Sequence, residues 1–135
     1  MRYLHDLRGG DRYDLGTVTV SGEQSIEFAR HYDPQAIHLD GEIVSGWHVA
    51  SLFMRLYVDR FLSSTASDVS PGLDELRWLL PVRPGDVLAG AVTIGEISAS
   101  LSKPACGIVR QYGQLTDISD RPVMSIVFYG LIYRR

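Results

Sequence analysis

Cysteine is almost missing from this 135-residue chain. Cys106 stands alone, so no disulfide can close within one chain and no thiolate cluster can hold a metal, a usage that fits a reducing cytosol. Long apolar runs are missing too. The most apolar stretch, residues 47–62, is interrupted by Arg55, Asp59 and Arg60 and is too short and too charged to span a bilayer. The amino end, MRYLHDLRGGDRYDLG, lacks the unbroken apolar segment of a secretory signal. There is no excess of positive charge: 13 scattered Lys and Arg face 16 Asp and Glu, for a net charge of −3. A nucleic-acid partner is therefore not expected. Nor is there a repeat, a heptad or a low-complexity tract, and His5, His31 and His48 share no metal-ligand spacing. The expectation is a cytoplasmic protein without a membrane segment, a metal or a nucleic-acid partner.

What remains is the mix of a globular protein, 45% hydrophobic, 10% aromatic and 21% charged. The length suits one domain, residues 1–135, with one ordinary core. Residues 13–20, YDLGTVTV, read as a strand weakened by Gly16. Ser21 and Gln24 have the spacing of a capping box, so a helix should start there, with Ile26, Phe28 and Ala29 on its apolar side. Pro34 should end it near Tyr32. From Trp47 the chain is helical in length and apolar on nearly all sides, which predicts a helix buried all round. The stretch 63–72, SSTASDVSPG, reads as a loop. Strands are expected over 73–80, 86–97, 107–115 and 122–133, joined by turns such as RPGD, where Pro84 and Gly85 suit the centre of a type II turn, and DISDRP. Short connections imply antiparallel pairing. The fold class is α+β, an antiparallel sheet wrapped around a long central helix. Exposed edges of long apolar strands such as VMSIVFYGLIY would call for cover by a second chain.

The chemistry concentrates in FARHYDPQAIHLD, residues 28–40. Asp33 and His38 would lie about 140° apart on a continuous helix. Pro34 breaks the helix, and in an irregular turn the two can converge. A carboxylate beside an imidazole can hold a water and move protons on and off it near neutral pH; the plainer alternative is an Asp that caps neighbouring amides and a packed or surface His. Downstream, VSGWH sets Ser45 and Gly46 at the start of the long helix. Free amides and the helix dipole there favour an oxyanion, unless Ser45 and Gly46 form a simple cap.

FARHYDPQAIHLD resembles the hydratase motif of MaoC-like dehydratases, a D-x-N-P-x-H pattern after a helix. VSGWH, PGLDELRWLLPVRPGDVL and RPVMSIVFYGLIYRR are similar to the segments that follow in that family, so the resemblance covers nearly the whole chain. It implies the hot-dog fold and the reversible, R-specific hydration of a 2-enoyl thioester of coenzyme A, with no cofactor beyond that substrate. It implies a catalytic role for Asp33, His38 and the Gly46 amide, substrate contacts from Gln35, Ser45 and Trp47, and a homodimer with the thioester near the interface. Gln35 and Ala36 depart from the Asn and Pro of the motif, and Asp40 runs directly into Gly41 where the family carries a longer segment bordering the acyl pocket.

Other readings compete. His38 and Asp40 have the H-x-D spacing of half an iron site, but no histidine follows His48 to complete it. A thioesterase on the same scaffold would want an acid on the long helix, where Asp59 is the only one. A subunit that binds acyl thioesters without catalysis is the third. Cys106 reads as a buried or idle thiol in a probable turn, and Trp47 and Trp78 as core or interface residues.

Overall fold

The computed structural model describes all residues, Met1–Arg135. Five strands and three helices follow in the order β1 (Arg12–Thr19), α1 (Gly22–Tyr32), α2 (Ala36–Leu39), α3 (Gly46–Arg60), β2 (Ser67–Trp78), β3 (Val87–Ala99), β4 (Cys106–Thr116) and β5 (Pro122–Tyr133). All strand pairs are antiparallel, in the spatial order β1-β3-β4-β5-β2. This is the expected α+β arrangement. The local signals explain the boundaries. Ser21 Oγ accepts the Gln24 amide at 3.2 Å and starts α1. Asp33 is the last half-helical residue before Pro34. At the β2–β3 turn the Asp86 amide donates to the Arg83 carbonyl at 3.1 Å, and Gly85 takes the positive φ of 89° that a type II turn requires there.

The core lies between α3 and one face of the sheet. Val49, Phe53, Leu56 and Tyr57 of α3 pack with Leu15, Leu88, Val92, Leu115 and Phe128 from the strands. In β4 the inward positions Val109, Gln111, Gly113 and Leu115 alternate with Arg110, Tyr112 and Gln114, the period of a strand with one face buried. Cys106 is buried at the start of β4. No helix is long and apolar enough to cross a membrane.

Three expectations need correction. Residues 67–72 are not a loop, because β2 already begins at Ser67, pairing Ser67 with Ile132 and Asp68 with Leu131. The composition misleads here because β2 is an edge strand, which tolerates Pro71 and the register slips between Asp68 and Gly72 and between Leu73 and Glu75. The long helix is not buried all round: Trp47, Ser51 and Met54 form an exposed stripe at helical spacing, with Trp47 58% exposed. One five-stranded sheet covers only one side of a helix. Finally, VMSIVFYGLIY is not an edge, since β5 lies between β4 and β2 and the free edges are β1 and β2.

Candidate active site

Pro34 does bring the motif together, through a short helix that the sequence did not suggest. Asp33 caps α1 with its amide on the Ala29 carbonyl, the Gln35 amide returns to the Asp33 carbonyl at 2.8 Å, and the single turn of α2 then presents His38. His38 Nε2 stands 3.4 Å from Asp33 Oδ2, with both side chains mostly covered.

Every other polar atom of the pair is already engaged. His38 Nδ1 is 2.8 Å from the Ile43 carbonyl, which can only accept, so Nδ1 carries a proton and the neutral ring keeps its lone pair on Nε2. Asp33 Oδ1 accepts from Gln35 Nε2 at 2.7 Å and Oδ2 from Ser45 Oγ at 2.7 Å. The Gln35 and Ser45 hydrogen bonds, with a smaller contribution from His38, hold the Asp33 carboxyl below the usual range against the opposing effect of desolvation. Asp33 is therefore an ionised acceptor rather than a cap on neighbouring amides.

Ser45 has a second consequence. As the N-cap of α3 it would ordinarily accept from an amide of the first turn, but its side chain makes no cap bond. Its hydroxyl is turned to Asp33. The amides of Gly46 and Trp47, which precede any possible intrahelical acceptor, donate to nothing within the chain. Trp78 Nε1 donates to the Gly46 carbonyl at 2.8 Å, and a Cβ on Gly46 would sit 2.4 Å from the indole ring. Only glycine lets Trp78 lie against the start of the helix.

These groups open on one cleft of about 430 Å³, lined by Asp33, Gln35, His38, Gly46, Trp47 and Trp78 among apolar residues. Five of the six residues singled out in the sequence thus share the cleft. The sixth, Ser45, expected to touch substrate, is fully buried behind Asp33 and does not line it. Trp78 was missed as a site residue; it lies far downstream of the motif and carries no local signal. It meets Trp47 edge-on at 5.0 Å, and the two flank the cleft. Nearby, His48 is buried against Phe28 with neither ring nitrogen hydrogen-bonded, and burial pulls its pKa below the usual 6.5.

The rival constellations are not assembled. Asp40 is exposed and accepts the Glu42 amide, and no three His, Cys, Asp or Glu side chains gather closely enough to hold a metal. Asp59 is an exposed partner of Arg55 at 2.9 Å, on the last turn of α3 and away from the cleft.

No protein-family model matches the chain, and no curated protein does. Solved structures do. A MaoC-like dehydratase from Rhodospirillum rubrum is 32% identical over 100% of this chain and 99% of its own, with a TM-score of 0.91. An unliganded R-hydratase from Pseudomonas aeruginosa shares the fold at 16% identity, with a TM-score of 0.73 over 98% of this chain and 86% of its own. A Mycobacterium tuberculosis protein described as a double hot-dog fold superposes with a TM-score of 0.74 at 18% identity, over 98% of this chain and 44% of its own. The architecture is the hot-dog fold.

Proposed function

The chain belongs to the MaoC-like dehydratase family, and from that premise we propose that it hydrates a 2-enoyl coenzyme A thioester reversibly to the (3R)-3-hydroxyacyl thioester. Hydratase or dehydratase chemistry in general is what its relatives support. The observation that carries the finer reading is the His38–Asp33 pair: an imidazole with its free lone pair on Nε2, 3.4 Å from a carboxylate held ionised, in a cleft shared with Gly46.

A water between His38 Nε2 and Asp33 Oδ2 gives one proton to His38 as its oxygen bonds to the β-carbon. The π electrons of the double bond move onto the thioester oxygen, where the Gly46 amide and the dipole of α3 stabilise the enolate. The α-carbon then takes the proton that His38 received from the water, delivered by way of Asp33, as the enolate collapses, and His38 Nε2 regains its lone pair. A lowered pKa makes Asp33 a poor proton store, so it acts as a relay for the proton on His38 across the 3.4 Å between them. Gln35 and Ser45 position the carboxylate, and Trp47 and Trp78 wall the substrate in. No cofactor takes part, and the setting is the cytoplasm.

The unit that acts is a homodimer. The exposed Trp47 and Met54 on α3, the 82% exposed Val69 and the 52% exposed Leu73 on β2 lie by a free strand edge, apolar surface that a second copy would cover. Light scattering should give twice the 15.0 kDa chain mass; a monodisperse single-chain mass refutes it.

A panel of enoyl coenzyme A thioesters of rising length and branching tests the activity. Loss of the conjugated enoyl absorbance with formation of the (3R)-hydroxy product is expected. Release of free coenzyme A without hydration would make the protein a thioesterase, and binding without turnover would make it a non-catalytic acyl-thioester subunit.

A further inference from the structure

Beside the catalytic cleft lies a second hollow of about 510 Å³, which shares Leu80, Pro81 and Val123 with it. Its character is different. Two arginines line it, Arg83 from the β2–β3 turn and Arg121 from the β4–β5 turn, together with Asp86, Asp117 and Ser119.

Both carboxylates are occupied in bracing the turns. Asp86 Oδ2 accepts the Arg83 amide at 2.9 Å. Asp117 Oδ1 accepts the Ser119 and Arg121 amides at 2.9 and 3.0 Å, and Oδ2 accepts Arg121 Nε at 2.9 Å. The Arg121 amide first, and its guanidinium after it, keep Asp117 below the ordinary carboxylate range. Arg121 Nη2 is also 2.9 Å from Asp117 Oδ2, so Asp117 fixes the orientation of Arg121 and leaves its Nη1 side free. The Arg83 guanidinium has no hydrogen-bond or ion-pair partner in the chain.

Arg83 is also tied to the catalytic pair by short covalent and hydrogen-bonded links. Ile43 accepts from His38, the Val44 amide donates to the Val82 carbonyl at 2.8 Å, and Arg83 is the next residue. On the other wall the Leu79 amide donates to Val123 at 2.8 Å, two residues beyond Arg121. An extended ligand that reacts at His38 and crosses Leu80 and Pro81 meets these two guanidiniums.

We infer that the second hollow seats the phosphate that ends the pantetheine arm of the substrate, with Arg83 as its principal contact and Arg121 as the second. The inference rests on the reading of the substrate as a thioester. A guanidinium fork matches paired phosphate oxygens, and an arginine with no partner in the chain, beside a second arginine whose carboxylate partner Asp117 is already paired with it, is a site for an anion rather than for the uncharged arm. The phosphate is common to coenzyme A and to a pantetheinylated carrier protein.

Isothermal calorimetry with 4′-phosphopantetheine and with pantetheine on the full chain tests this without requiring turnover. The preference for the phosphorylated ligand should fall about tenfold or more in Arg83→Ala and by less in Arg121→Ala, as expected for loss of charged hydrogen bonds. An unchanged preference in Arg83→Ala overturns the inference even if the enzyme hydrates thioesters. Conversely, a fallen preference in a protein that hydrates nothing leaves the phosphate seat standing and removes the proposed reaction. The source follows from the KM of Arg83→Ala with crotonyl coenzyme A and with a crotonyl carrier protein: the natural donor is the one whose KM rises while kcat holds, and a rise with neither overturns the inference.

Discussion

The two ends of α3 belong to one 15-residue helix and are built on opposite terms. At the first turn polar groups are left open: Gly46 and Trp47 keep free amides, Ser45 gives up its cap to hold Asp33, and His48 is buried without a hydrogen bond. From Phe53 onward the helix is packing. Phe53, Tyr57 and Phe61 stack in sequence against Phe128 and Tyr13, and Gly113 is bare so that Phe53 can rest on the sheet, where a Cβ would come within 2.4 Å of the ring. The one polar pair there is closed, with the Tyr57 hydroxyl on Gln111 Oε1 at 2.7 Å, although Gln111 Nε2 is unmatched. Burial pushes the Tyr57 pKa up, which keeps it a donor. Unsatisfied polar groups cost stability. At the first turn the open Gly46 and Trp47 amides face a cleft where a ligand can relieve them, whereas the other end is held by aromatic burial that outweighs the unmatched Gln111 Nε2.

Substitutions at the two ends should therefore separate stability from activity. Phe53→Ala should lower the unfolding free energy by about 3–5 kcal/mol in urea titrations, while turnover per folded molecule changes little; a large loss of turnover at full folding would blur the distinction. Tyr57→Phe, by stripping Gln111 of its only partner, should cost about 1–3 kcal/mol, again in stability alone. Ser45→Ala should do the reverse. With one charged hydrogen bond gone from Asp33, hydration should slow about tenfold. The Asp33 carboxyl itself should titrate at higher pH in Ser45→Ala, read by carbon-13 NMR, because a hydrogen bond that favours its ionised form is removed.

The smallest effect belongs to His48. Its folded pKa lies below the 6.5 of the free side chain, so on acidification the unfolded chain takes the proton first. Stability should then fall below about pH 6.5, by at most ~1.4 kcal/mol per pH unit, down to the folded pKa. His48→Leu should flatten that slope between pH 7 and 5.5 in denaturant titrations. An unchanged slope would mean that His48 does not titrate with folding.

Local signals made most of this legible from the residues. Ser21, Pro34 and the Pro84–Gly85 turn are short-range devices, and they mark the ends of α1 and the β2–β3 connection where the structure has them. The first half of β2 was hidden because Ser-Pro-Gly composition is that of a loop, and only its place at the edge of the sheet permits it to be a strand. The exposed stripe of α3 was hidden because Trp47 and Met54 are apolar and blur the difference between its faces. Within the site, Asp33 and His38 stood out because the proline between them is local. The proton on Nδ1 was not readable, since a backbone carbonyl sets it, and the packing of Trp78 on Gly46 joins residues 32 positions apart.

The most direct measurement is the rate at which crotonyl coenzyme A loses its enoyl absorbance with the unmodified protein, Asp33→Asn and His38→Ala, alongside their thermal midpoints. The expected result is hydration by the unmodified protein, slowed about 10² or more in each variant with folding intact. Normal turnover in both variants would contradict the assignment of the reaction to Asp33 and His38.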